Sequence, residues 1–332
     1  VGGCRPHYGG GANMKGHTLV EVVFWLALAA CWWLFPLKLP LLTQILIMGL
    51  FAMSLDLVLG HAGILTVGHA AFFGTGAYVA GLLAVHGWGE PLTGLLAAAS
   101  VCLVFGYLMA FLVVRGSDLT RLMLTIAVCL LLVEAALQFS AMTGGSDGLW
   151  GIQMWPVLGL FGFDLAGRTA FAYSFIVVLC LFLLLRRVVQ SPFGLALRGS
   201  RQNPKRMDAL GAPVAARLRT AYAMSAGVAG VAGALLTQTT QFVGVQTLTV
   251  ERSAEVLIVL VLGGAGHLYG GLVGALLYWV AHDWFSGLSP QYWMLAVGTL
   301  LIVVALFGGG GVGGVWRRIG AAAKARGVEH TP

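Results

Sequence analysis

The amino-acid sequence predicts an all-α integral membrane protein, a polytopic bundle of about eight to ten transmembrane helices with glycine-interrupted segments. Apolar residues make up 59% of the chain and charged residues only 9%, whereas an average soluble domain carries about a quarter charged residues. The apolar residues gather in runs of about 20, the length that a helix needs to cross a bilayer. No alternating ten-residue pattern of a β-barrel interrupts them, so the spans are expected to be helices.

Eight apolar runs are candidate spans, namely residues 19–36, 41–60, 64–86, 92–114, 122–140, 169–185, 219–242 and 291–307. A further hydrophobic segment, 254–285, is interrupted by glycines. This segment is predicted to form either two short spans or a re-entrant pair, which accounts for the range of eight to ten crossings.

The distribution of Lys and Arg predicts which loops face the cytoplasm, because cytoplasmic loops are enriched in these residues. Eight of the nineteen Lys and Arg residues lie between Arg186 and Arg219, against one acid. The loop 186–219 is therefore expected in the cytoplasm, with the N terminus, the short turn that carries Arg115 and Arg121, and the basic C-terminal tail. The segment 141–168 holds one Arg and two Asp and is expected outside.

The chain is predicted to divide into an N-terminal leader, 1–18, a transmembrane permease domain, 19–310, and a cytoplasmic basic tail, 311–332. Met14 is an alternative start of translation within the Gly-rich leader. The five Cys residues are scattered without metal-site spacing, so neither a metal site nor a disulfide framework is expected. The net charge of +7 gathers at one membrane face, which favours contact with lipid headgroups and excludes a nucleic-acid partner.

The basic loop contains the start and stop signals of a short helix. Asn203 and Pro204 form an N-cap and first-turn pair. Gly211 suits the position after the last turn, and Pro213 prevents continuation. The sequence therefore predicts a two-turn helix over residues 204–210.

Met207 and Leu210 are three residues apart and are expected to share a face of this helix. Two interpretations remain open: a solvated connecting loop whose charges only set topology, or a helix that docks into a groove on a cytoplasmic partner. A second short helix is expected from the Ser191–Pro192 pair to Gly199. The sequence has no G-x-x-x-x-G-K-[ST] phosphate loop, so any use of ATP requires another subunit.

Two glycine-rich segments share the pattern V-L-G-x-A-G-x-L, one starting at Val58 and the other at Val261. They represent either a faint internal repeat, as transporters often carry, or chance similarity. The glycines either let helices approach closely or interrupt the helices so that unwound backbone lines a cavity. The density of Gly together with Thr66 and His69 favours interruption at 60–68.

An ionisable side chain inside a membrane span costs free energy, so each one is a candidate functional residue. Asp56 and Glu134 lie within apolar runs. For each of them, two interpretations are open: a role in packing or a role in transport. His61, His69 and His267 are expected to form hydrogen bonds in helix packing, since none has a second ligand at i+3 or i+4. No nucleophile elbow or metal motif is present, so an enzyme is not expected.

Four stretches in this order resemble the membrane permease subunits of branched-chain amino acid ABC transporters: 59–78, 143–152, 203–211 and 262–266. Together they cover roughly residues 40–310. The Thr-Gly-Gly-Ser-Asp-Gly-Leu segment at 143–149 resembles the longer of the two paired permeases of that family.

The resemblance implies one permease half of an importer in a bacterial inner membrane, without a cofactor and without enzymatic activity of its own. Its implied partners are a second permease subunit, two cytoplasmic ATP-binding subunits and an extracytoplasmic solute-binding protein. The alternative is a secondary transporter or channel for a small solute that works without ATPase partners.

The resemblance assigns the family's coupling segment to the loop 191–213, and Glu134 matches a Glu that usually precedes the Thr-Gly-Gly segment. The residues expected to couple the chain to the ATPase are Asn203, Pro204, Met207, Ala209, Leu210 and Gly211. The candidates for the translocation pathway are Asp56, Gly60, Gly63, Thr66, Gly68, His69, Glu134, Gly263, Gly264 and Gly266.

Three residues depart from the family pattern. Asp56 stands where Asn is usual, His61 where Tyr is common, and His267 where Ser is more usual. These departures leave the cargo open between a branched-chain amino acid and urea, a short amide or an aromatic acid.

Overall fold

The computed structural model describes residues 13–156, 159, 161–162, 164, 167–288, 295 and 298–299, and these form an all-α bundle. The helices are α1 (Asn13–Leu34), α2 (Leu39–Asp56), α3 (Ala70–Val85), α4 (Pro91–Arg115), α5 (Asp118–Gln138), α6 (Ser140–Thr143), α7 (Arg168–Gln190), α8 (Pro192–Gln202), α9 (Pro204–Ala209), α10 (Val214–Thr240), α11 (Val250–Gly263) and α12 (Leu268–Leu288). A π-helical turn, Leu57–Ala62, extends α2. Short 3₁₀ turns occupy Pro36–Lys38, Gly145–Asp147 and Val245–Leu248.

The predicted fold class is confirmed. Within the described residues, five helices are long and apolar enough to cross a membrane: Pro36–Ala62, Pro91–Arg115, Asp118–Gln138, Arg168–Gln190 and Val214–Thr240. The pair α11 and α12 adds a sixth if it counts as one broken span, and α1 and α3 contribute shorter apolar segments. The span predicted at 291–307 lies almost wholly outside the described residues, as does the tail 311–332, so the count of eight to ten remains a prediction.

Helix α10 lies at the centre of the bundle, where it packs mainly against α4 and α3. Its glycines make this possible: a Cβ added at Gly230 would lie 2.5 Å from the sulfur of Cys102 on α4. One added at Gly233 would lie 2.8 Å from the carbonyl carbon of Phe73 on α3. Small residues let helix backbones approach closely where lipid supplies no hydrophobic drive for association.

Helices α4, α5 and α7 lie at the periphery, and each turns large apolar side chains outward. In the most apolar 18-residue stretch of α5 only 17% of the residues are buried, whereas 89% are buried in the corresponding stretch of Pro36–Ala62. The outward side chains include Leu103, Leu108, Leu112, Leu130, Leu131, Ile176 and Leu183. An outward apolar surface that runs along three helices suits lipid or another membrane subunit.

Helix α12 runs along α2 in the opposite direction. At its start, a Cβ on Gly271 would lie 2.9 Å from the backbone nitrogen of Met53. Near its end, Asp283 pairs with Lys38 at 2.8 Å, just before α2 begins. The two contacts lie at opposite ends of α2, so α12 traverses the same depth as α2 instead of turning back halfway. Helix α11, with 14 residues, passes as membrane-spanning only together with α12, as a broken span or a re-entrant loop.

A crosslinking experiment tests this course of α12. In a cysteine-free background, Lys38→Cys combined with Asp283→Cys is expected to crosslink efficiently with a short bifunctional thiol reagent, because the native side chains touch. The yield is measured as a shifted band after proteolysis between the two helices. Lys205→Cys with Asp283→Cys is the matched control and should remain uncrosslinked. Equal yields from both pairs would contradict the antiparallel course.

Helices α1 and α7 are tied together by an ion pair between Glu21 and Arg186, whose nearest atoms are 2.5 Å apart. Glu21 lies in the first half of α1, and Arg186 lies near the end of α7. The start of α1 and the end of α7 therefore lie on the same side of the bundle. This agrees with the expectation that the N terminus and the loop 186–219 share one face of the membrane.

Candidate functional site

The first glycine-rich segment interrupts the helix, as predicted. After the π-helical turn, Gly63 adopts the left-handed conformation with φ of 73°, which glycine reaches without the steric cost of a Cβ. Residues 64–69 are not helical. The span predicted at 64–86 was wrong at its start, because α3 begins only at Ala70. The apolar run continues through the break, so hydropathy alone could not locate it.

The second glycine-rich segment forms a sharp break as well. Helix α11 ends at Gly263, and the axes of α11 and α12 differ in direction by 109°. Gly264 and Gly266 have φ of 96° and 91°. A Cβ on Gly263 would lie 2.5 Å from the carbonyl carbon of Gly270, so the two helix ends meet backbone to backbone. Glycine is therefore required on both sides of this turn.

The two breaks contact each other, and Asp56 joins them. The backbone N–H of Gly266 donates a hydrogen bond of 2.6 Å to Oδ1 of Asp56. A Cβ on Gly60 would lie 2.6 Å from the same nitrogen and would also collide with the carboxylate. Gly63 and Gly266 occupy equivalent positions of the shared pattern, and both have positive φ. The repeated pattern thus corresponds to two similar breaks packed face to face.

The second carboxylate oxygen of Asp56, Oδ2, has no hydrogen-bond partner within the described residues, although the side chain is fully buried. The imidazole of His61 lies close to it, with Nδ1 at 3.5 Å from Oδ2. Arg201 and His267 also act electrostatically on this carboxylate. The junction therefore holds one acid facing several groups that carry or can accept positive charge.

Two substitutions of Asp56 separate the contribution of its hydrogen-bond acceptor to stability from the contribution of its negative charge. Asp56→Asn is expected to leave stability near the wild-type value, because the amide oxygen can still accept the N–H of Gly266. Asp56→Leu is expected to cost about 1–3 kcal/mol, the penalty for a buried donor without a partner. Thermal unfolding of both purified variants in detergent measures the difference. If the Leu variant unfolds at the wild-type temperature, the hydrogen bond does not hold the junction together.

His69 lies deeper in the bundle, within a network of three polar side chains. Its Nε2 is 3.0 Å from the hydroxyl of Ser54 on α2 and 3.2 Å from that of Ser225 on α10. The Ser225 hydroxyl donates to the carbonyl oxygen of Ser54 at 2.5 Å. The imidazole stacks on Phe51 at a centroid distance of 5.8 Å. His69 therefore has the predicted role in helix packing, because its imidazole joins α2 to α10.

Thr66 and Gly68 shape the segment between the π-helical turn and α3. Thr66 is buried, and its hydroxyl accepts the backbone N–H of Gly68 at 3.3 Å. A Cβ on Gly68 would lie 2.5 Å from the carbonyl carbon of Thr125 on α5. This segment is therefore held against α5 by a contact between backbones.

Glu134 is not brought together with the other candidates. It lies in the last turns of α5, where its side chain is exposed, and it accepts a hydrogen bond of 2.8 Å from Gln138. Within the described residues, no group of three or more His, Cys, Asp or Glu side chains could hold a metal ion.

The loop after α7 folds into the two short helices α8 and α9. Asn203 caps α9 by accepting the N–H of Arg206 at 3.0 Å, and Pro204 is its first residue. Gly211 follows with φ of 79°. The sequence prediction of a helix over 204–210 is confirmed to within one residue. The predicted end of the preceding helix at Gly199 was wrong, because α8 continues to Gln202.

Gly199 serves close packing and not helix termination. A Cβ there would lie 3.0 Å from the sulfur of Met207, so the Met207 side chain lies across α8. Leu210, by contrast, is 74% exposed. The two residues expected to form one apolar face are thus divided, since Met207 packs against its own chain and Leu210 projects outward. Asn203, Pro204, Ala209 and Gly211 are also exposed.

Three residues that the sequence interpretation did not select belong to these sites: Ser54, Ser225 and Arg201. The two serines gave no signal, because single serines are common in transmembrane helices. Arg201 was counted only as part of the basic loop, yet its guanidinium donates a hydrogen bond to the carbonyl oxygen of Gly60. Its position in the last turn of α8, the helix that follows a span, was the available clue.

Comparison with known proteins gives consistent matches along the chain. The family described as "Branched-chain amino acid transport system / permease component" matches residues 38–306. The "High-affinity branched-chain amino acid transport system permease protein LivM" of Salmonella typhimurium is 28% identical over 89% of this chain and 75% of its own length. Its Escherichia coli counterpart gives the same figures.

A "Probable branched-chain amino acid transport permease protein LivH" of Methanocaldococcus jannaschii is 28% identical over 43% of each chain. No solved structure matches the chain significantly.

Proposed function

Because this chain belongs to the family of permease components of branched-chain amino acid transport systems, we propose that it is one permease half of an ATP-driven importer. The observation that carries the proposal is the match to two LivM proteins over 89% of this chain. The family assignment makes it a multi-pass membrane protein whose role is transport. The proposed cargo is a branched-chain amino acid, or a related small polar solute.

The proposed partners are a second permease subunit, two ATP-binding subunits and an extracytoplasmic solute-binding protein. Two relatives named LivM and one named LivH support pairing with a second permease. The location is the bacterial inner membrane, with both termini, the loop 186–219 and the tail 311–332 in the cytoplasm. The ion pair between Glu21 and Arg186 supports a common side for the N terminus and this loop.

The coupling surface is proposed at α9 and the residues that flank it. Asn203, Pro204, Ala209, Leu210 and Gly211 are exposed there. The Asn203 cap defines the start of the short helix, and the left-handed Gly211 follows its end. A capped helix with an outward leucine suits a groove on an ATP-binding subunit. Met207 contributes by holding α9 against α8 and not by direct contact.

The pathway is proposed to open along the two glycine breaks. Backbone that is not helical at membrane depth is tolerated only where it is buried or lines a water-filled cavity. Asp56, Thr66 and His69 are each at most 1% exposed. In this conformation the passage is therefore closed at the breaks, and it opens when α2 separates from α10 and from the α11–α12 turn. Glu134 is the weakest pathway candidate, because it lies on the outward surface of α5.

Reconstitution separates this proposal from a secondary transporter or channel. The chain is placed in liposomes either alone or with the second permease and the ATP-binding subunits, and uptake of radiolabelled leucine is measured in the presence of the binding protein. We expect uptake only from the complete complex and only with ATP. Uptake by the chain alone that follows an ion gradient and ignores ATP would favour the secondary transporter.

A further inference from the structure

Arg201 connects the short helix α8 to both glycine breaks. Its guanidinium Nη1 donates to the carbonyl oxygen of Gly60 in the first break. Its aliphatic stem covers Gly63, where a Cβ would lie 2.7 Å from Cγ of the arginine. In the second break, a Cβ on Gly266 would lie 4.0 Å from the same Nη1. One side chain thus reaches the equivalent glycines of both copies of the repeated pattern.

The location of the accepted carbonyl explains why an arginine is suited here. Gly60 lies in the π-helical turn, and helix ends leave carbonyl oxygens without intrahelical partners. A guanidinium satisfies such an oxygen with a charge-assisted hydrogen bond, which is roughly twice as strong as a neutral one. Its charge also acts electrostatically on the buried carboxylate of Asp56. The side chain therefore stabilises both the open helix end and the acid that joins the breaks.

Helix α8 is in turn fixed to α9 and to the end of α7. The sulfur of Met207 lies against Gly199, and the N–H of Asn203 donates to the carbonyl oxygen of Gly199 at 3.1 Å. Arg198 donates to the carbonyl oxygen of Val189 at 2.9 Å. Helices α8 and α9 are therefore held together at Gly199, and α8 carries Arg201.

We propose that Arg201 is the positioning residue that transmits movement of the α8–α9 unit to the two glycine breaks. This inference rests on the proposed function, because it assumes that an ATP-binding subunit moves α9. When that subunit displaces α9, Arg201 draws the Gly60 carbonyl with it and disturbs the contact between Asp56 and Gly266. The breaks then separate, and the passage between α2 and the α11–α12 turn opens.

The test compares Arg201→Ala with Arg187→Ala in the reconstituted complex. Both variants remove one guanidinium from the basic stretch 186–219. Arg187 is exposed near the end of α7, and of the two residues only Arg201 contacts the breaks. We measure leucine uptake and ATP hydrolysis in the same vesicles and express the result as solute transported per ATP. Arg201→Ala is expected to lower this ratio by about tenfold, within the usual range of allosteric coupling, while ATP hydrolysis continues. Arg187→Ala is expected to keep the wild-type ratio.

The outcomes are distinct. An unchanged ratio in Arg201→Ala, with a coupled wild-type complex, overturns the role of Arg201 and leaves the proposed function intact. Wild-type uptake that is independent of ATP overturns the proposed function and this inference with it. A merely structural role would lower the amount of folded complex but not the ratio. If Arg201→Ala is not recovered from the membrane, Arg201→Gln carries the same test, since its stem can still cover Gly63.

Discussion

Replacing Leu210 with Asp is expected to abolish transport-coupled ATPase activity while the protein remains in the membrane in its normal amount. Leu210 is 74% exposed and projects from a helix end fixed by Gly211. Burying a leucine in a partner groove contributes about 1.5–3 kcal/mol. Losing that contact weakens association by about 10- to 100-fold, and burial of an unpaired carboxylate weakens it further. ATP hydrolysis stimulated by the binding protein measures the effect.

The matched control is Leu119→Asp. Leu119 is also an exposed leucine, at 64%, and it lies at the start of α5 beside Arg121, on the face that is predicted to be cytoplasmic. An acid near the start of a helix is favourable, so this variant should hydrolyse ATP normally. Wild-type stimulation in Leu210→Asp, or equal loss in both variants, would contradict the assignment of the coupling surface.

Replacing Gly233 with Ala is expected to destabilise the bundle strongly. The added methyl group would lie 2.8 Å from the carbonyl carbon of Phe73 and 3.0 Å from the nitrogen of Ala77, so α10 and α3 would have to move apart. Overpacking of a tight core costs about 1–3 kcal/mol. In the unstrained case, alanine would instead favour the helix by about 1 kcal/mol relative to glycine. Thermal unfolding in detergent should show a clear decrease in melting temperature.

Gly227→Ala provides the comparison within the same helix. There the nearest atom to an added Cβ is the carbonyl oxygen of Ala99 on α4 at 3.4 Å, an ordinary contact. This variant gains the helix preference of alanine without overpacking, so its melting temperature should equal or exceed that of the wild type. If both variants melt alike, the close approach of α3 and α10 at Gly233 is not present in the folded protein in detergent.

Features set by short stretches of sequence were predictable. Apolar runs located α2, α4, α5, α7 and α10, because a span of about 20 residues leaves a clear local signal. The helix α9 was predicted from Asn203, Pro204 and Gly211, since capping depends on the few residues at a helix end. The interruption at 60–68 was predicted from the density of glycine. Glycine adopts a left-handed conformation, such as that of Gly63, more readily than other residues, so a cluster of glycines indicates where a helix can break.

Features set by packing between distant segments were not predictable. The shared pattern beginning at Val58 and Val261 was visible, but nothing in it indicated that the two breaks touch through Asp56 and Gly266. The role of Arg201 was hidden for the same reason, since 141 positions separate it from its acceptor, Gly60. Neighbouring residues do not encode such contacts, which arise only when the helices assemble.

The division between Met207 and Leu210 illustrates a limit of helical periodicity. Their spacing of three correctly predicts neighbouring positions on a helix. In a helix of six residues, however, the packing of the adjacent helix decides which neighbour is covered. Gly199 leaves room for the Met207 side chain, and Leu210 lies beyond the last turn, where no part of α8 covers it.

The central claim is that the surface at α9 binds an ATP-binding subunit, and photocrosslinking from position 210 tests it most directly. A photoreactive amino acid replaces Leu210 in the reconstituted complex, and the same replacement at Leu119 serves as the reference. The account predicts a crosslink from position 210 to the ATP-binding subunit and none from position 119. Absence of that crosslink in a complex that takes up solute with ATP, or a crosslink only to the solute-binding protein, would contradict the account.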